Sequence, residues 1–167
     1  MDPETGAILD PGERGEIVVR GSLVMAGYYK NPEATAAAST HGWHHTGDIG
    51  YLDDDGFLHI VDRAKDMVIT GGFNVYSTEV EQALMQHPAV QDCAVVGLPD
   101  DKWGERVVAV VQPLSGRTVD ADALTAYVKG RIGSIKAPKQ IEVWTELPRS
   151  RVGKVLKTEI KDRLRTG

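Results

Sequence analysis

The chain has 167 residues and a mass of 18.1 kDa, enough to bury an apolar core without disulfide or metal staples. Hydrophobic residues make up 41% and charged residues 26%, a balance that excludes a disordered or fibrous protein. The net charge of −5 is uneven: residues 129–167 hold 11 Lys and Arg against 4 Asp and Glu, so a basic tail follows an acidic body. Such a tail suits an anionic partner, nucleic acid or a phosphate-bearing small molecule, or is simply a solvated basic helix.

The first 62 residues read as β-rich. PGERG is a turn and EIVVRG a strand. Asn31-Pro32-Glu33 starts a helix, with Asn as cap, Pro at the first helical position and an acid in the first turn; the helix is expected to run through ATAAA to near His41-Gly42. DIGYL (48–52), the turn DDDG (53–56) and FLHIVD (57–62) read as a hairpin. A strand pairing with EIVVRG is expected upstream of Met1, so the chain is expected to begin inside a domain.

From Asp66 the pattern changes. MVIT is a short strand, followed by Gly71-Gly72. Thr78 and Glu81 have capping-box spacing, and Val80, Ala83 and Leu84 form one apolar helical face that Pro88 ends. VQDCAVVGL and RVVAVVQP are Val-rich strands, DADALTAYVKGRI is a helix capped at Asp120 or Asp122, and QIEVW is another strand. A last amphipathic helix places Leu156, Ile160 and Leu164 on one side. The fold class expected is α+β: a small β-rich subdomain, then a two-layer α+β domain with a mixed sheet and helices, divided near 62-DRAKD-66. The longest apolar run, VVAVV at 107–111, is far too short to span a bilayer. The acidic start is not a secretory signal, and the single Cys93, in an apolar run, is expected to be a buried thiol in a reducing, cytoplasmic setting.

Three segments carry chemistry. In WHHTGDIGY, Asp48 at a strand start can accept two hydrogen bonds from a vicinal diol such as a ribose, or can cap a turn. His44 and His45 point to opposite faces of a strand and have no acid or Cys at ligand spacing, so no metal site is expected there. In DRAKDMVITGG, two glycines permit positive φ or close approach by a ligand, with Arg63 and Lys65 nearby. In PRSRVGK, Lys154 beside a glycine on an irregular loop can reach a phosphate or carboxylate as a point charge, or can be an exposed Lys before a helix.

TGD, DRAKDMVITGG, Trp103-Gly104-Glu105, KAPK (136–139) and PRSRVGKVLK, in this order, resemble the acyl-CoA synthetase family of the adenylate-forming superfamily, over essentially the whole chain. The resemblance implies an AMP-forming acid–CoA ligase with ATP, a carboxylic acid (fatty or aryl) and CoA as substrates. A carboxylate attacks the α-phosphate of ATP, and a thiol then displaces AMP. It implies that Asp48 and Arg63 bind the nucleotide, that residues 63–65 form a hinge centred on Lys65, and that Lys154 is catalytic in adenylation. It further implies that Gly71 and Gly72 line the pantetheine tunnel and that Trp103 contacts CoA. Residues 1–62 become the last β-subdomain of a large N-terminal domain and 66–167 a mobile C-terminal domain. The phosphate loop and acyl pocket then lie upstream, Mg2+ accompanies ATP with its ligands outside this chain, and the chain is inactive alone. Two departures stand out: His44-His45 replaces an aromatic-Arg pair, and Ile135 replaces an aromatic. The alternative is a non-catalytic anion- or partner-binding module using the basic segment. Nucleic acid is not expected, since base stacking needs interleaved aromatics and only Trp144 lies there.

Overall fold

The structure, a computed structural model, describes residues 1–166. The chain divides into two compact units, Met1–Lys65 and the remainder from Asp66.

The first unit holds β1 (Gly15–Val19), α1 (Pro32–Ala37), β2 (His44–Leu52) and β3 (Leu58–Arg63), with the strands antiparallel in the order β1-β2-β3. Among the described residues the ladder partner of β1 is β2, and the backbone of Met1 adds to β1 by exchanging hydrogen bonds with Glu16. Asn31 caps α1 by accepting the Ala34 N–H, as its sequence predicts. The helix stops at Ala37, short of His41, because the Ala38 carbonyl is taken by the His45 N–H at the start of β2. In the β2–β3 turn, Asp53 accepts from the Asp55 and Phe57 N–H groups and meets His59 Nε2 at 2.6 Å. The hydrogen bond to His59 is the main cause that holds the Asp53 carboxyl below its usual range. The unit's fully buried apolar residues are few, Met1 and Ile49 among those described.

The second unit holds β4 (Val68–Thr70), β5 (Phe73–Val75), α2 (Ser77–Met85), β6 (Val90–Asp100), β7 (Gly104–Pro113), α3 (Ala121–Lys136), β8 (Gln140–Val143) and α4 (Lys157–Thr166). The strands form one mixed sheet in the order β5-β4-β7-β6, with β8 parallel to β7 and the other pairings antiparallel. Strand β5 was not evident in the sequence. Gly71 and Gly72, at φ +57° and +81°, form the two-residue turn that makes β4–β5 a hairpin, with Thr70 opposite Phe73. The N-cap of α2 is Tyr76, so Thr78, the expected cap, already lies inside the helix. Asp120 caps α3.

Alternation on β6 and β7 builds two cores. Val95, Val107, Ala109 and Val111 pack with Val80, Ala83 and Leu84 of α2 and Leu124 and Val128 of α3. Ala94, Val96, Leu98, Val108 and Val110 pack with Leu147 and with Ile160 of α4. Successive residues of a strand face opposite ways, so helices cover both faces of the sheet and α4 adds a layer to the expected pair. Cys93 is 7% exposed, and burial pushes its thiol up to about 12, so it is a packing residue and not a nucleophile. Among the described residues no helix is long and apolar enough to cross a membrane.

The uneven core predicts uneven resistance to proteolysis. Limited trypsin digestion should leave a stable piece beginning near Asp66 while the segment before Lys65 is lost; mass spectrometry showing the reverse would contradict the two-unit description. The glycine turn makes a second prediction. A Cβ on Gly71 would sit 2.9 Å from Trp103 Cε3, whereas one on Gly72 meets nothing within 4 Å. Both alanines carry a left-handed backbone cost of about 1–2 kcal/mol, so Gly71→Ala should melt at a lower temperature than Gly72→Ala. Equal melting points would show that the Trp103 contact yields without cost.

Candidate functional site

In the first unit, the antiparallel register sets Asp48 of β2 opposite Arg63 of β3. Arg63 Nε donates to Asp48 Oδ1 at 2.7 Å. The pair is open to solvent, with the side chains 31% and 54% exposed. An acceptor carboxylate beside a donor guanidinium can hold a diol and an adjoining oxygen together. The backbone leading into Asp48 is tightly held. Glu16 of β1 accepts the Gly47 N–H through Oε1 at 3.0 Å and meets His45 Nδ1 through Oε2 at 2.7 Å. His45 Nε2 lies 2.7 Å from Thr40 Oγ1, and the Thr46 hydroxyl donates to the Ile17 carbonyl. His45 is thus a hydrogen-bonding partner that fixes the turn before Asp48. Glu16 was not apparent from the sequence, where it is one acid in an ordinary strand. Lys65 sits in a single 3-10 turn, Ala64–Asp66, at the border of the two units.

In the second unit, the structure brings together the glycine pair and Trp103. Trp103 lies in the turn joining β6 to β7, where Asp100 Oδ1 accepts the Lys102 and Trp103 N–H groups. The Gly71 N–H donates to the Trp103 carbonyl at 2.8 Å, and the indole lies against the face of Gly71 where a side chain would be. The ring remains 42% exposed, with Lys102 Nζ 4.7 Å from its centroid. Beyond β5, a cleft of about 360 Å³ is lined by Phe73, Asn74 and the kinked end of α3 from Ile132 to Lys136, where Gly133 has φ +83°.

Lys154 is elsewhere. It is exposed on a loop closed by an Arg149–Val155 bridge, with its carbonyl accepting the Ser150 N–H and its own N–H donating to Ser150 Oγ. Arg149 ties this loop to Asp92, near the start of β6, whereas Gly71 and Trp103 lie past its other end at Asp100. Eight residue steps along the strand separate those anchors, about 26 Å at roughly 3.3 Å each. Lys154 and the glycine pair therefore mark different ends of the unit.

Four of the basic tail's eleven cations have carboxylate partners within the chain. Lys136 pairs with Glu79 at 2.6 Å, Lys157 with Glu81 at 2.8 Å, Arg149 with Asp92 and Arg163 with Glu159. These acids were not evident as a set in the sequence, beyond the charge asymmetry itself. Among the described residues no cluster of three or more His, Cys, Asp and Glu is arranged to hold a metal ion.

The AMP-binding enzyme C-terminal domain family matches residues 79–154. The chain is 48% identical to a feruloyl-CoA synthase of Amycolatopsis sp over 95% of its own length and 32% of that relative. It is 46% identical to a long-chain-fatty-acid–CoA ligase of Bacillus subtilis over 94% of its length and 28% of the relative. It thus spans about a third of the curated relatives it matches. Among solved structures, ATP-bound MatB from Rhodopseudomonas palustris is similar with a TM-score of 0.90 and 40% identity, over 97% of this chain and 32% of that one. Over residues 79–154 the chain thus matches the AMP-binding enzyme C-terminal domain, and the relatives it resembles along nearly its whole length are acyl-CoA ligases.

Proposed function

We propose that the chain is the C-terminal portion of an AMP-forming acid–CoA ligase that acts on a fatty or aryl acid. The reading is carried by the open Asp48–Arg63 pair, held in a chain that matches CoA ligases over 95% of its length. In the first half-reaction a carboxylate oxygen attacks the α-phosphorus of ATP, and pyrophosphate leaves. In the second, the CoA sulfur attacks the acyl carbonyl, and AMP leaves. Asp48 accepts hydrogen bonds from the ribose hydroxyls, and Arg63 both orients Asp48 and faces the nucleotide. Lys154 supplies a positive charge where a carboxylate must approach a polyanion, the point at which a placed ammonium lowers the barrier most. Gly71, Gly72 and Trp103 form the face toward the pantetheine arm. ATP brings Mg2+ with it, and no step here depends on a metal held by this chain. Residues 1–62 belong to a large domain that supplies the phosphate loop and acyl pocket, so the chain alone does not form an adenylate. The alternative, an anion-binding module using the basic tail, is disfavoured because four of the tail's cations already have carboxylate partners.

The distance between Lys154 and the glycine face means that one orientation of the second unit cannot present both. Lys65 is the proposed pivot.

In the full-length ligase, Lys154→Ala should cut adenylation by about 10²-fold, comparable to removing one preorganised charge-stabilising donor. Thioester formation from preformed acyl-adenylate and CoA should persist. Equal loss in both assays would remove Lys154 from the role assigned. Lys65→Pro should do the opposite, because proline fixes φ near −65° and stiffens the pivot: pyrophosphate release continues while CoA ester formation falls. Parallel loss of both steps would place the hinge elsewhere.

A further inference from the structure

Two cations next to Lys154 have no part in the reaction described so far, and both are tethered. Arg149 donates through Nη2 to Asp92 of β6 and through Nη1 to the Gly153 carbonyl at 3.1 Å. Lys157, the first residue of α4, reaches Glu81 Oε1 at 2.8 Å and Ser77 Oγ at 2.7 Å, both on α2. The same Glu81 oxygen accepts the Val95 N–H at 2.8 Å. β6 is the last strand of the sheet order, so Glu81 closes a rung on its outer edge, and Lys157 is fastened to the group that closes it. Because α2 and α4 cover opposite faces, the Lys157–Glu81 pair wraps around that edge.

Between the two tethers the chain has few ways to move. The Ser150 N–H donates to the Lys154 carbonyl at 2.8 Å, the Gly153 N–H donates to the Ser150 carbonyl at 2.9 Å, and Gly153 turns the chain at φ +83°. The Lys154 backbone is thus fixed from both sides while its ammonium stays in solvent. The Lys157 and Glu81 side chains are only 22% and 21% exposed, so salt screens this pair less than an ordinary surface pair.

We infer that Arg149 and Lys157 are positioning residues that hold Lys154 where the adenylation step needs it, by anchoring its loop to Asp92 and Glu81 at the edge of β6. The inference rests on the reading of Lys154 given above. Arg149 and Lys157 touch no substrate; they act by narrowing the positions the ammonium can sample. Without either tether, adenylation slows by about 10-fold, less than the 10²-fold that a 1 Å misplacement can cause.

The test has two arms. On this chain, 15N relaxation of residues 150–156 is compared for wild type, Arg149→Met, Lys157→Met and Lys157→Arg, with a thermal melt of each. The two Met variants should melt cooperatively but show a disordered loop, and Lys157→Arg should restore order. A loop as rigid as wild type in both Met variants overturns the inference. If one Met variant fails to fold, the other tests the same loop from its opposite end.

In the full-length ligase, Lys157→Met should lower kcat for adenylation while KM for ATP changes little, and Lys157→Arg should recover most of the loss. Added to Lys154→Ala, it should cost nothing further, because two residues acting through one group are not additive. Additive loss would show a merely structural contribution and overturn the positioning role. If Lys154→Ala is slow but neither Met variant is, only the tethers' role falls. If Lys154→Ala leaves adenylation intact, the reading of Lys154 falls first and the positioning role with it.

Discussion

The antiparallel pairing of β6 with β7, apolar on both faces, is the interaction on which the second unit depends. Val95, Val107, Ala109 and Val111 face one core, and Ala94, Val96, Val108 and Val110 face the other. Each fully buried valine contributes about 1.5–3 kcal/mol relative to exposure. A register slip of one residue would exchange the two sets and mismatch both helical layers. The pairing is therefore fixed, and so is everything attached to its ends. Its turn carries Trp103, against which the Gly71–Gly72 hairpin rests. Its outer edge carries Glu81 and Asp92's partners, and through them the Lys154 loop.

The charge asymmetry has a physical explanation within that frame. α2 and β6 supply Glu79, Glu81 and Asp92; the tail supplies Lys136, Lys157 and Arg149. Three ion pairs thus join the acidic body to the basic tail when α3, β8 and α4 fold back onto the sheet. A total of charges along the sequence registers the excess but not the pairing, which is why the tail first suggests an external anion.

Much of the fold was legible because its signals are local. Asn31-Pro32-Glu33 and Asp120 announce helix starts through their own side chains, and the Val-rich strands and amphipathic α4 show their periodicity directly. The misses share a cause in tertiary structure. β5 is too short to have a pattern, and its two glycines serve as a hairpin turn as well as a smooth surface. Thr78 and Glu81 have the spacing of a capping box, yet Glu81 is drawn to the Val95 N–H and Lys157, contacts 14 and 76 residues away in the chain. The second helical layer was hidden because alternation on β6 and β7 reads simply as a continuous apolar run. At the candidate site, Asp48, Arg63 and Lys154 could be singled out from motif order. Glu16, Arg149 and Lys157 could not, because each acts through a partner that only the fold brings near.

The arrangement also constrains how a two-step reaction can use so small a unit. On the proposed reading, a rigid body with Lys154 at one end of a strand pair and the glycine face at the other cannot bend to offer both to a single point. The buried core makes bending costly, and the tethers around the edge of β6 stiffen the Lys154 end further. On the proposed reading, the same stiffness that places the ammonium for adenylation obliges the whole unit to turn before the glycine face can meet the thiol. On that reading the freedom lies outside the unit, and the proposed pivot is Ala64–Asp66, a single 3-10 turn at the border of the two units. Precision within the unit and mobility at its border are in that sense one requirement: softening the core or the tethers would blur Lys154 without bringing Gly71 and Gly72 any closer to the reacting carbonyl.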